Sequence, residues 1–172
     1  MTLCVLVVFP LPSLQDDDPK SDESPLNQII MKTLDSRVHV RRGALSILVG
    51  LMRVNVTYVS PRFVRVLTAG CQDESLLIRK SMIKDVAELL DVHPEHDSLL
   101  TVFVDDVLTL GCDPESSVEE AVVNIVRSLL LDRIRAPGTG GAVDELPWRI
   151  LAKVKSRGAE NSLARVISRM AA

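Results

Sequence analysis

One pattern recurs in register along this chain and restricts its fold more than any other feature. An aspartate is followed five residues later by a β-branched residue and nine residues later by a small or apolar one. The copies are Asp35, Val40 and Ala44; Asp73, Ile78 and Met82; and Asp113, Val118 and Val122. They begin 38 and 40 residues apart. The fifth and ninth positions after the aspartate lie one turn apart on a single helix face. A period of about 40 residues built from helical segments is the signature of a stacked array, in which each unit buries its apolar face against its neighbours. Such arrays present extended surfaces to other macromolecules and seldom carry catalysis.

The segments between the motifs read as helices. Leu26 to Leu34 places Leu26, Ile29, Ile30 and Leu34 on one face, and Asp35 or Ser36 offers an N-cap to the next helix. Ser60-Pro61 opens a helix that Gly70 ends, since proline is tolerated in a first turn. A second runs from about Ser75 to Asp91 and stops at His93-Pro94. Ser98 to Leu110 and then Ser116 or Ser117 to about Ile134 repeat the plan, with Gly111 as the break. Two helices per unit predict an all-α, HEAT-type α-solenoid of antiparallel helix pairs, with about three repeats over residues 26–134. Residues 1–25 read as a linker, because 10–25 are rich in Pro, Asp and Ser. The apolar Leu3–Phe9 stretch lacks a basic flank and reads as the tail of an upstream helix, not a signal peptide. Residues 135–147 read as a loop, and 148–172 as further amphipathic helices forming an irregular repeat or cap.

Only 3% of residues are aromatic although 47% are hydrophobic, and this Leu- and Val-rich balance suits helix-on-helix layers. No apolar run reaches the roughly 18–20 residues a membrane span needs. Three cysteines, Cys4, Cys71 and Cys112, make an odd count that favours a reducing compartment. Cys71 and Cys112 precede successive motif aspartates and are expected in buried helix packing. No cofactor is expected. The glycines within 136–142 follow no strand and precede no Lys-Ser/Thr, so they form no phosphate loop. His93 and His96 flank a helix-breaking proline and supply too few ligands for zinc. His39 has no acid or nucleophile near it in sequence. Asp105 and Asp106 point about 100° apart on a helix and read as a solvated face. Ser24-Pro25 and Ser60-Pro61 are minimal proline-directed phosphorylation sites.

Charge is segregated. Residues 37–84 carry nine Lys/Arg against Asp73 and Glu74, a net of +7, whereas 85–134 carry Arg127 and Arg133 against twelve acids, a net of −10. Residues 135–172 return to +4. Along a stacked array such blocks become zones, and a basic zone suits a polyanion. Equivalent positions in successive repeats align into a stripe, which makes Arg42, Arg62, Arg65, Lys80 and Lys84 the candidate DNA contacts, through charge and not base readout. Asp35, Arg41, Asp73, Arg79 and Asp113 fit instead a structural ladder, in which the turn aspartate of one repeat pairs with an arginine of its own or a neighbouring repeat.

The second and third repeats also carry family-specific detail. Cys71 to Asp73, Ile78 to Lys80, Ala87 to Leu90, Cys112 to Val118 with Glu120, and Leu129 to Leu131 together resemble the HEAT-repeat region of the condensin II subunit D3 family. The resemblance covers about residues 35–134 and continues more faintly over 146–169. Glu119 departs from it, standing where most such helices place arginine. The resemblance implies a fragment of a non-catalytic scaffold that supports mitotic chromosome condensation. It implies kleisin and other condensin subunits and double-stranded DNA or chromatin as partners, no membrane or small-molecule substrate, and a place in the nucleus on mitotic chromosomes. A generic helical adaptor binding a peptide or protein in transport or signalling is the other reading of the same array.

Overall fold

The computed structural model describes residues 24–134 and 142–170. Helix α1 spans Pro25–Lys32, α2 Val38–Val54, α3 Pro61–Cys71 and α4 Leu76–Val92. Helix α5, Asp97–Val102, runs on into a π-helical turn at Phe103–Val107 and a 3₁₀ stretch at Leu108–Cys112. Then come α6, Ser116–Leu129, α7, Ala142–Arg157, and α8, Glu160–Met170. No strand occurs among the described residues. The even-numbered helices stack in order, α2 on α4, α4 on α6 and α6 on α8, while α3, α5 and α7 stack beside them. The fold is therefore an all-α repeat in two layers of helices.

The motif residues explain the stacking. Ile78, Met82, Val118 and Val122 are no more than 1% exposed and sit at the centre of a core that runs without a break through the array. Gly70 lets α3 approach α4, because a Cβ there would meet the Met82 side chain at 2.8 Å. Gly111 does the same for α8, whose Val166 occupies the space a Cβ would need. Gly158 adopts φ +68° after α7, and the Ala159 amide donates to the Val154 carbonyl at 3.0 Å, a left-handed C-terminal turn suited to glycine.

Neither Asp35 nor Ser36 is the N-cap of α2, and neither Ser116 nor Ser117 that of α6, contrary to expectation; the motif aspartates stand just before the caps. The residues at the N-cap positions are Arg37, Ser75 and Glu115, each two places further on. Each aspartate pins the preceding turn: Oδ1 accepts the amide of the residue two along, at 3.0 Å for Asp35, 2.8 Å for Asp73 and 2.9 Å for Asp113. The arginine six residues after the aspartate then binds in two directions. Arg41 Nη1 donates to the carbonyls of Asp35 and Ser36, and Arg79 Nη1 to those of Asp73 and Glu74. The rest of each guanidinium grips the next repeat's aspartate. Arg41 meets Asp73 with two bonds of 2.8 Å, and Arg79 meets Asp113 at 2.7 and 3.0 Å. Two-pronged geometry of this kind fixes both distance and orientation.

Several further expectations need correction. Residues 142–147 are helical, although Pro147 reads as a loop residue; Leu146, Ile150 and Val154 form a stripe at four-residue spacing, no more than 2% exposed, that holds the helix in place. The span expected as one α-helix to Leu110 changes to π and 3₁₀ geometry after Val102. Asp105 and Asp106 are not a solvated face. Asp106 accepts from Thr68 Oγ1 at 2.7 Å on α3, and Asp105 binds Arg157 on α7, so one widened turn ties α5 to both neighbours in its layer. Cys71 is buried and Cys112 is exposed. The Leu3–Phe9 stretch, the Pro-rich residues up to 23 and the glycines of 136–141 lie outside the described residues.

The ladder sets the pH response. Asp73 and Asp113 are held below the ordinary carboxylate value of 3.8: burial pushes them up, but hydrogen bonds from Arg41 and Arg79 and from the turn amides outweigh it. A lowered carboxylate contributes stability that is present above 3.8 and is lost as pH falls through its folded value. Replacing Arg79 by Met leaves the Asp113 carboxylate, 5% exposed, without its cation. We expect a cost of about 2 kcal/mol in urea unfolding at pH 7, partly recovered by Asp113→Asn, and a shallower acid limb than wild type. Asp85 behaves oppositely. Burial raises it, with its Ser81 hydrogen bond opposing, so its contribution is full below 3.8 and fades as pH rises. Asp85→Asn is expected to raise the urea midpoint at neutral pH, and the gap to wild type should close on acidification.

Candidate nucleic-acid interface

Arg42 and Lys80 occupy the same position in successive repeats, 38 residues apart on α2 and α4. Both are exposed, and with Lys84 they line one shallow concavity between the two helices. Neither Arg42 nor Lys80 forms an ion pair with a described residue. Lys84 is 73% exposed and lies 3.6 Å from Glu88, which also binds Arg53. Asp85 lines the same concavity and sets one acidic side chain beside the cations. The cationic stripe is short, because the next residue in register on α6 is the exposed Glu120.

Arg62 and Arg65 do not join this stripe. They lie on α3, whose Phe63, Leu67, Gly70 and Cys71 face the core, so these arginines project from the opposite side of the array. The five candidate cations therefore divide between two surfaces.

Much of the charge segregation is internal pairing between repeats. Arg41 and Arg79 serve the ladder. On α7, Lys153 binds Asp97 and Arg157 binds Asp105; on α8, Arg169 binds Glu119. Arg133 binds Asp91 at 2.5 Å. The basic 135–172 block thus neutralises part of the acidic 85–134 block. That arrangement was legible only as two adjacent blocks of opposite sign. The sequence reading also missed His93, whose Nε2 lies 2.8 Å from the Met52 carbonyl and donates to it near the end of α2. Helix ends leave such carbonyls without an internal partner.

Other candidate chemistry dissolves on inspection. His96 has a buried Nδ1 with no hydrogen-bond partner, and burial, then the nearby His93, lowers its pKa. Burial first, then Asp106 and Asp85, pushes the Cys71 thiol up to about 12, so it packs as an inert apolar group. Among the described residues no three potential ligands cluster as a metal site, and no helix is long and apolar enough to cross a membrane. Ser24 is 6% exposed, and Ser60 is half-buried at the N-cap of α3.

No family model matches this chain, and no solved structure matches it. It is similar to a curated protein of Xenopus laevis, "Condensin-2 complex subunit D3-L", with 23% identity over 164 residues. The aligned stretch takes in 94% of this chain but only 11% of that relative's length, so the chain corresponds to a small part of it.

Proposed function

We propose that this chain is a non-catalytic HEAT-type scaffold segment of a condensin assembly, acting with a kleisin and with DNA on mitotic chromosomes in the nucleus. The observation that carries the reading is the similarity to a condensin-2 subunit along 94% of the chain, in a fold of stacked helix pairs. The site residues are Arg42, Lys80 and Lys84, which share one outer concavity; Arg42 and Lys80 pair with no described carboxylate, and Lys84 would exchange its exposed contact with Glu88 for phosphate. Arg62 and Arg65 form a lesser patch on the other side. Contact through charge alone positions a duplex without reading its bases.

A generic adaptor is the second reading, and one feature favours it. Val54, Val56, Val92, His93, Pro94 and His96 line a cleft at the C-terminal ends of α2 and α4. Val54 is 81% exposed there and Val92 47%, which suits an apolar side chain of a peptide.

Salt dependence separates the two. Three phosphate contacts predict a log–log slope of about −2.7 for binding of the full chain to duplex DNA. Lys80→Gln with Lys84→Gln should bring it to about −1. Both lysines are exposed, so this double variant should unfold within about 0.5 kcal/mol of wild type, and a lost slope would report binding and not misfolding. Salt-independent binding, or no binding by the folded chain, would remove DNA from the proposal and leave the cleft as the working surface.

A further inference from the structure

One acidic residue breaks the repeat pattern. Twelve residues after each motif aspartate the chain has Ile47, Asp85 and Ile125. The middle repeat therefore has a carboxylate where the repeats on either side have isoleucine. Asp85 is half-buried, as Ile125 is. Ser81 Oγ, one turn earlier on α4, donates to its Oδ2 at 3.1 Å. Arg53 and Lys84, the cations that act on it, are both paired with Glu88 instead. A carboxylate removed from water without a cation of its own is costly in its charged form.

The same side chain lines the concavity that holds Arg42, Lys80 and Lys84. An isoleucine there would fill space without opposing an anion. An ionised carboxylate opposes it, and a single proton removes the opposition. The charges around Asp85 come from several helices. Lys84 and Glu88 lie on α4 itself, and Arg42 and Arg53 on α2. From α3 the Cys71 thiol stays protonated, pushed up to about 12. Helix α6 brings the exposed Glu120, in register with Lys80 but outside the concavity. His39, exposed and in register with Leu77 of the concavity, is the one histidine on α2.

We propose that Asp85 is a proton-linked control of polyanion binding at this concavity: a phosphate drawn in by Arg42, Lys80 and Lys84 settles beside the protonated carboxyl and is disfavoured by the ionised one. The inference rests on the reading of the concavity as the DNA surface. The proton comes from solvent, and no covalent bond is exchanged. A phosphate charge about 6 Å from a partly buried carboxylate raises its proton affinity by about tenfold. Linkage is reciprocal, so the protonated site holds the phosphate about tenfold tighter than the ionised one. The sign follows. Burial already raises Asp85 above 3.8, and the bound anion raises it further. The advantage is full below the free value and is lost as pH rises through the bound one.

The test measures binding of the full chain to a DNA duplex between pH 4.5 and 7.5 at fixed ionic strength. Wild type is compared with Asp85→Asn, each with and without His39→Gln, and circular dichroism follows the fold at each pH. Titration elsewhere in the chain is common to both members of a pair, so the ratio of their affinities isolates Asp85. We expect Asp85→Asn to bind about tenfold tighter at pH 7.5, and the ratio to fall to about one at pH 4.5 whether or not His39 is present. Asp85→Ile, which restores the residue of the neighbouring repeats, should behave in the same way. Equal affinities at pH 7.5, or a ratio that does not change with pH, would overturn the proposal while salt-sensitive binding keeps the DNA reading. A change in the ratio that disappears with His39→Gln would assign the proton to His39 and also overturn it. No salt-sensitive binding by any variant at any pH would remove DNA from the concavity, and this control with it.

Discussion

The array depends on one interaction: an arginine that holds its own repeat with one nitrogen and the next repeat with the other two. Apolar burial provides most of the stability of stacked helices, but it is non-directional. Leu and Val dominate the facing surfaces, so a helix displaced along its neighbour would still bury comparable area. The guanidinium removes that freedom. Arg41 is tied to the carbonyls of Asp35 and Ser36 at its own helix start, and its remaining donors meet both oxygens of Asp73. A shift of even 2 Å would break a pair of bonds whose carboxylate is mostly removed from water, leaving a buried charge without its partner. At the other end of the same helices, His93 secures the Met52 carbonyl. The α2–α4 junction is therefore fixed at both ends, with the apolar core between.

This division of labour bears on how the charge should be read. A strongly basic segment beside a strongly acidic one suggests two external surfaces, yet many of these charges face one another across repeat boundaries. Lys153, Arg157 and Arg169 lie on the last two helices and meet acids on the two before them. These pairs are more exposed than the ladder, and each is worth little in stability. Their effect is selective: they favour the order in which helices stack. What remains on the outer side of α2 and α4 is a smaller set, Arg42 and Lys80 with Lys84, while Arg62 and Arg65 lie on the other side. That remainder, and not the block total, is what a polyanion would meet.

How much of this was legible in the sequence depended on whether the signal was local. The helix pairs were legible because proline, glycine and a spaced apolar stripe act within a few residues. The ladder members were legible as types in register, Asp35, Arg41, Asp73, Arg79 and Asp113, but the partner of each was not. Asp105 and Asp106 were misread because the 100° between adjacent positions was taken to mean solvent, when it also lets two side chains reach two different neighbours. Pro147 looked like a loop residue, since the packing of Leu146, Ile150 and Val154 that overrides it is tertiary. Arg62 and Arg65 were grouped with Lys80 by charge and proximity in sequence. Their separation follows only from the two layers, which place consecutive helices on opposite sides.

Glu119 makes the same point in the other direction. It stands six residues after Asp113, where the ladder has arginine in the two repeats before it. A single change of sign there converts a donor position into an acceptor. The structure answers it with Arg169 from α8. The α6–α8 junction therefore uses a different pairing rule from the two junctions before it, although its apolar packing is of the same kind, with Val126 and Val166 fully buried. Apolar faces say that helices stack; the sign of one residue in forty says which helix may follow which.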